Sequence, residues 1–154
     1  MNTFMKPKQS NTPIRILLAD DDKDDRFLFS KALKEIEIQT QLITVHDGEQ
    51  LTKYLNDKAE NIPDVLFLDL NMPRKNGFEC LAEIKLNANL KDFPIIMLST
   101  SYPRDKNYEQ DMITLLTKIG ASDFIRKPDD FTQLKMILQD SLTRFMENKA
   151  QQVA

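Results

Sequence analysis

The sequence predicts a doubly wound α/β domain built on a five-stranded parallel sheet, and three observations predict it. Five short apolar runs recur along the chain, the stretches between them are amphipathic with helical spacing, and polar residues gather just past the carboxyl ends of the runs. Aliphatic runs with little polar alternation suit parallel strands covered on both faces. Strands that alternate with helices make a layered α/β architecture.

Each element follows in order. Ile14–Ala19 (IRILLA) is the first strand. An acidic stretch comes next, a start that suits the positive end of a helix dipole. Phe27, Leu28, Leu33 and Ile36 mark the apolar face of that first helix. Gln41–Val45 (QLITV) is a less hydrophobic second strand, and Leu51, Tyr54 and Leu55 mark the second helix. Val65–Leu70 (VLFLDL) is the third strand, followed by a helix marked by Phe78, Leu81 and Ile84. Pro94–Leu98 (PIIML) is the fourth strand; Met112, Leu115, Leu116 and Ile119 mark the fourth helix, which Gly120 closes as a natural C-cap. Asp123–Arg126 (DFIR) is a short fifth strand. Phe131, Leu134, Leu138, Leu142 and Phe145 recur at intervals of three and four in the last helix. The folded domain is expected over 14–146, with a polar, flexible N-terminal arm over 1–13 and a C-terminal tail over 147–154.

Composition narrows the function. A chain of 154 residues with 41% hydrophobic and 29% charged residues reads as one soluble globular domain. The single cysteine, Cys80, excludes an internal disulfide and a thiolate-rich zinc site, and the single histidine, His46, excludes a multi-histidine metal site. Gly48, Gly77 and Gly120 stand too far apart to write GxGxxG or GxxxxGK[ST], which removes dinucleotide enzymes and P-loop ATPases. A net charge of −3 gives no electrostatic match to nucleic acid. No apolar run approaches the roughly 20 residues of a membrane span, and the N-terminus lacks a signal-peptide core, so no membrane partner and a cytoplasmic location are expected.

In open α/β sheets ligands bind beyond the carboxyl ends of the strands. There the sequence sets Asp20, Asp21 and Asp22 after the first strand, Asp69 at the third, Ser99 and Thr100 at the fourth, and Lys127–Pro128 at the fifth. Carboxylates converging from two strand ends demand a cation, and hard oxygen donors with room for water suit Mg²⁺. A carboxylate is also a nucleophile toward phosphorus. Phosphoryl transfer then needs the charge on the equatorial oxygens neutralised, which a metal and a lysine supply.

The segments LLADDDKDDRFL, VLFLDLNMPRKNG, PIIMLSTS and DFIRKP, in that order, resemble the receiver domain of two-component response regulators from Ile14 to about Phe145. The resemblance implies the strand order 2-1-3-4-5 of the flavodoxin-like receiver fold. It implies Asp69 as phosphoacceptor, Asp21 as direct magnesium ligand with Asp69, Asp20 acting through water, and a backbone carbonyl of Asn71 on the metal. Ser99 would be the switch hydroxyl, Phe124 the aromatic switch and Lys127 the phosphoryl contact, with a cis Lys127–Pro128 bond. Asn71 and Ser101 would tune the lifetime of the phosphoryl group. A histidine kinase or phosphotransfer protein would be the donor, and a protein target would read the surface of the fourth helix, fifth strand and fifth helix. A phosphorylation-dependent homodimer is one such output. Among receivers the sequence most resembles single-domain proteins that partner bacterial phytochrome kinases.

Other residues have plainer readings. Asp22, Asp24 and Asp25 read as helix-start and solvent charges. His46 reads as a surface residue and Cys80 as a small core residue. Thr100 takes the switch position from Ser99 if the fourth strand ends one residue later. The segment STSYPRDKNYEQ is about six residues longer than usual for such receivers, as long insertions are best borne in loops, and reads as an extended loop before the fourth helix. A haloacid-dehalogenase-like phosphohydrolase is the enzyme alternative, but Asn71 stands where it needs a second acid and no cap insertion is evident. A phosphorylation-independent interaction module is the other. A flavodoxin-like electron carrier would place its cofactor phosphate against DDDKDD, where it would be repelled.

Overall fold

The apolar runs lack a polar face, so each needs cover on both sides, and a parallel sheet flanked by helices supplies it. In the computed structural model, which describes residues 12–100 and 106–153, five strands pair in parallel in the order β2-β1-β3-β4-β5. They are β1 (Ile14–Ala19), β2 (Thr40–Val45), β3 (Val65–Asp69), β4 (Ile95–Ser99) and β5 (Asp123–Arg126). The helices are α1 (Lys23–Glu35), α2 (Gly48–Asp57), α3 (Gly77–Leu86), α4 (Lys106–Ile119) and α5 (Phe131–Val153).

Alternate strand residues point to opposite faces, which divides the core in two. Leu17, Leu66, Leu68, Ile95 and Met97 pack under α2, α3 and α4 with Leu51, Leu81 and Leu116. Ile16, Leu18, Phe67, Ile96 and Leu98 pack under α1 and α5 with Leu33, Leu138 and Leu142. On that second face Phe29 meets Phe67 edge-on, with centroids 5.2 Å apart and planes at 69°. The contact anchors α1 directly over the central strand.

Helix starts are set by short polar side chains. The carboxylates of Asp22 and Asp47 accept from the Asp25 and Gln50 amides, and the Asn76 side-chain oxygen accepts from the Glu79 amide. Each cap satisfies an orphan N–H of a first turn. Gly120, at φ 129°, closes α4 with its N–H on the Leu116 carbonyl at 3.1 Å. Gly77 is required for space: a Cβ there would lie 2.4 Å from the Asp69 carbonyl oxygen and 2.7 Å from Leu70 Cα.

Five expectations need correction. The buried face of α1 is Phe29, Ala32 and Leu33, whereas Phe27 and Leu28 are exposed. At 100° per residue only one of the three consecutive apolar residues 27–29 can face the sheet squarely. For the same reason Leu116 is buried and its neighbour Leu115 exposed. Helix α4 already begins at Lys106, so the last five residues of the expected loop are helical, and α5 runs to Val153 through the expected C-terminal tail. The Lys127–Pro128 bond is trans, not cis, as are all peptide bonds of the described residues. Trans is the lower-energy form of an X–Pro bond by about 0.5–1 kcal/mol. With it the Lys127 amide still reaches the Ser99 carbonyl at 2.8 Å. The arm 1–13 lies outside the described residues except for Thr12 and Pro13.

Candidate functional site

A parallel sheet brings all strand carboxyl ends to one edge, so residues distant in sequence meet there. Asp20 directly follows β1, Asp69 ends β3, Ser99 ends β4 and Lys127 directly follows β5. Asp20 and Asp69 are each only 2% exposed, while Asp21 faces solvent. One carboxylate oxygen from each of Asp20, Asp21 and Asp69 lies within 4.8 Å of the other two.

Local hydrogen bonds fix these acids. The Asn71 amide donates to Asp69 Oδ1 at 3.1 Å, and the Asp22 amide donates to Asp20 Oδ1 at 3.0 Å. The Asp20 backbone is held at both ends, with its N–H on the Val45 carbonyl at 3.1 Å and its own carbonyl on Arg26 Nη1 at 2.8 Å. Lys127 Nζ enters from the far side of the sheet. It lies 2.8 Å from Asp20 Oδ2, 2.9 Å from Asp25 Oδ2 and 3.5 Å from Asp69 Oδ2.

The electrostatics follow from burial and crowding. Burial pushes the Asp69 carboxyl up to about 7; Lys127 opposes the shift, and the neighbouring Asp20 charge reinforces it. Burial acts against the Lys127 charge as well, but hydrogen bonding and attraction from Asp20, then Asp69 and Asp25, raise its pKa above the ordinary lysine value. A buried acid with a raised pKa, one lysine and an exposed carboxylate form a site short of positive charge. Three hard oxygen donors with one solvent-facing edge fit a divalent cation that keeps part of its water shell.

The comparisons with known proteins fall on this same geometry. The sequence model described as the response regulator receiver domain matches residues 16–139. The chain belongs to the response regulator receiver family. It is 39% identical over 117 residues to response regulator Rcp1 of Synechocystis sp., an alignment covering 71% of this chain and 80% of that protein. The crystal structure of the phosphorylated cyanobacterial phytochrome response regulator RcpA superposes with a TM-score of 0.75 at 31% identity, covering 89% of this chain and 96% of that one. The Mn²⁺-bound form of Rcp1 gives a TM-score of 0.70 at 32% identity over 83% of this chain and 91% of that one. The chain is thus an Rcp1-like response regulator, a signalling receiver and not a conventional enzyme. No helix among the described residues is long and apolar enough to cross a membrane.

The receiver's remaining sequence-marked residues divide into those at the site and those away from it. Ser99, Thr100 and Phe124 line one cavity of about 800 Å³ with Phe78, Tyr108 and Met112, alongside the acidic cluster. Thr100 Oγ1 accepts from Asn71 Nδ2 at 3.4 Å, which ties the end of β4 to the loop after β3. Ser101 lies outside the described residues. His46 is exposed after β2, its backbone N–H on Gln50 Oε1. Cys80 is buried on α3, and burial pushes its thiol up to about 11, so it is an inert core residue.

Sequence reasoning missed Asp25 and Gly77. Asp25 does stand in the first turn of α1, as a helix-start charge should, yet it also binds Lys127, more closely than Asp69 does. Nothing in DDDKDD singles it out. Its spacing, three residues after the capping Asp22, is the one available signal: that places it where α1 first closes a turn.

Proposed function

We propose that this receiver accepts a phosphoryl group on Asp69 from a histidine kinase or a phosphotransfer protein, with Mg²⁺ in the Asp20–Asp21–Asp69 cluster. It then signals through a protein partner. The observation that carries the reading is the buried Asp69 carboxylate, held within the acidic cluster and 3.5 Å from the Lys127 ammonium. One Asp69 carboxylate oxygen attacks phosphorus as the bond to the phosphohistidine nitrogen breaks, leaving an acyl phosphate and a neutral imidazole. When bound, Mg²⁺ supplies neutralisation of the developing phosphoryl charge. Lys127 offers its third N–H to a phosphoryl oxygen, and the hydroxyl of Ser99 or Thr100 donates a hydrogen bond to another. Asn71, through its backbone carbonyl, would complete the metal's oxygen donors; Asn71 and Ser101 would set how long the acyl phosphate survives.

Exposed Phe27, 67% accessible, and Leu28 on α1 give the donor domain an apolar surface beside the cluster. On the other side, Phe124 and Ser99 share the cavity under α4, so adding a dianion favours one packing of the α4–β5–α5 surface over another. Kinship with the cyanobacterial phytochrome response regulator RcpA supports a phytochrome-type kinase as the partner.

Acetyl phosphate with Mg²⁺, followed by intact-mass spectrometry, tests the reading. One added phosphoryl group is expected, absent in Asp69→Asn and absent in EDTA. Rapid multiple turnover of small phosphoesters would show a phosphohydrolase instead. Failure to label, with beryllofluoride also failing to bind, would leave a phosphorylation-independent module.

A further inference from the structure

Lys127 has a partner that the acidic cluster does not include. Asp25 Oδ2 lies 2.9 Å from Lys127 Nζ, although the Asp25 side chain is 38% exposed and water was available to it. Its backbone is not free to drift, because its N–H is held by the capping carboxylate of Asp22 at 3.0 Å. An ammonium has three N–H donors. Here two are spent on Asp20 and Asp25, and Asp69 is left as an ion-pair partner at the longer distance of 3.5 Å.

We propose that Asp25 is a positioning residue: it holds the Lys127 ammonium on the α1 side of the cluster when a divalent cation occupies Asp20, Asp21 and Asp69. This inference rests on the cation-binding part of the function proposed above. A cation and an ammonium repel one another and compete for the same carboxylates, and burial strengthens both effects. Of the three acids around Lys127, Asp20 and Asp69 belong to the cluster and Asp25 does not. Asp25 is therefore the one partner that lysine keeps without taking an oxygen from the cation. Without it Lys127 turns fully onto Asp20 and Asp69 and becomes a competitor of the metal. The same contact links the first turn of α1 to the end of β5 through two residues 102 positions apart.

Isothermal titration with Mg²⁺ alone tests this in a double-mutant cycle of the full chain. Asp25→Asn is expected to weaken Mg²⁺ binding about fivefold when Lys127 is present, and less than about twofold in a Lys127→Met background. Asp25→Glu is expected to restore most of the wild-type affinity. A merely electrostatic Asp25 would weaken binding equally in both backgrounds, and that equality, or no weakening at all, would overturn the proposal. A wild-type protein that binds no Mg²⁺ would overturn the cation reading itself and this inference with it. Wild-type binding with an unchanged Asp25→Asn would overturn the inference alone.

Discussion

The two ends of the sheet handle charge differently. At the amino end cations and acceptors meet in small separate groups, partly exposed: Arg144 meets Asp123 at 2.8 Å, and Lys149 approaches Asp64 at 3.7 Å. Asp64 also accepts the Arg15 amide at 2.8 Å, while the Arg15 guanidinium caps the Asn61 and Ile62 carbonyls. At the carboxyl end a single Lys127 serves three acids, two of them almost wholly buried. The amino end is balanced, and such pairs contribute little beyond local order. The carboxyl end is left deficient in positive charge, and that deficit favours a cation there and, under the proposed function, the phosphoryl transfer that the cation assists.

Three perturbations sharpen or break this contrast. The largest effect belongs to Gly77→Ala, whose new methyl would collide with the Asp69 carbonyl and Leu70. It is expected to cost about 3 kcal/mol in urea unfolding, near the upper end for overpacking, and to weaken Mg²⁺ binding by shifting the acceptor. A wild-type Mg²⁺ affinity in that variant would show that the cluster tolerates displacement of its central strand end.

Asp69→Asn comes next, and its effect depends on pH. The folded carboxyl titrates at about 7 against an unfolded value of 3.8, so between these the native state retains a proton that the unfolded chain has released. Stability is then present at low pH and falls as pH rises through that window. Removing the acid is expected to stabilise the cation-free protein at pH 8, with the gain vanishing toward pH 4. Unfolding curves in EDTA at the two pH values measure it; a gain that grows toward low pH would contradict the assigned direction. The smallest effect belongs to the other end: Arg144→Met should cost under about 1 kcal/mol and leave Mg²⁺ affinity unchanged. A changed affinity would break the contrast.

Much of the architecture was legible because it rests on hydrophobic runs. Every strand expected from the sequence overlaps an observed one within a residue at either end, since a buried parallel strand is written as consecutive aliphatics. Helix faces were harder. In FLF at 27–29 the pattern offers three apolar candidates for one inward position, and only packing against Phe67 selects Phe29. Asp20, Asp69 and Lys127 were legible because strand ends declare themselves by a change from apolar to polar. Asp25 was not, because a run of acids does not say which one a lysine 102 residues away will reach. Pro128 was misjudged, since the residue pair alone does not fix the isomer and the observed bond takes the lower-energy form.

The position of β3 in the sheet has a mechanical consequence. Its residues are buried throughout, and it is laddered to β1 on one side and β4 on the other. Asp69 thus rides on the stiffest strand, while β5 has four residues and one neighbour. A load applied at the centre of such a plate is taken up at its compliant margin. Asp69 then acts as a fixed anvil, and under the proposed function the displacement that a partner would feel is delivered at β5 and the helices beside it.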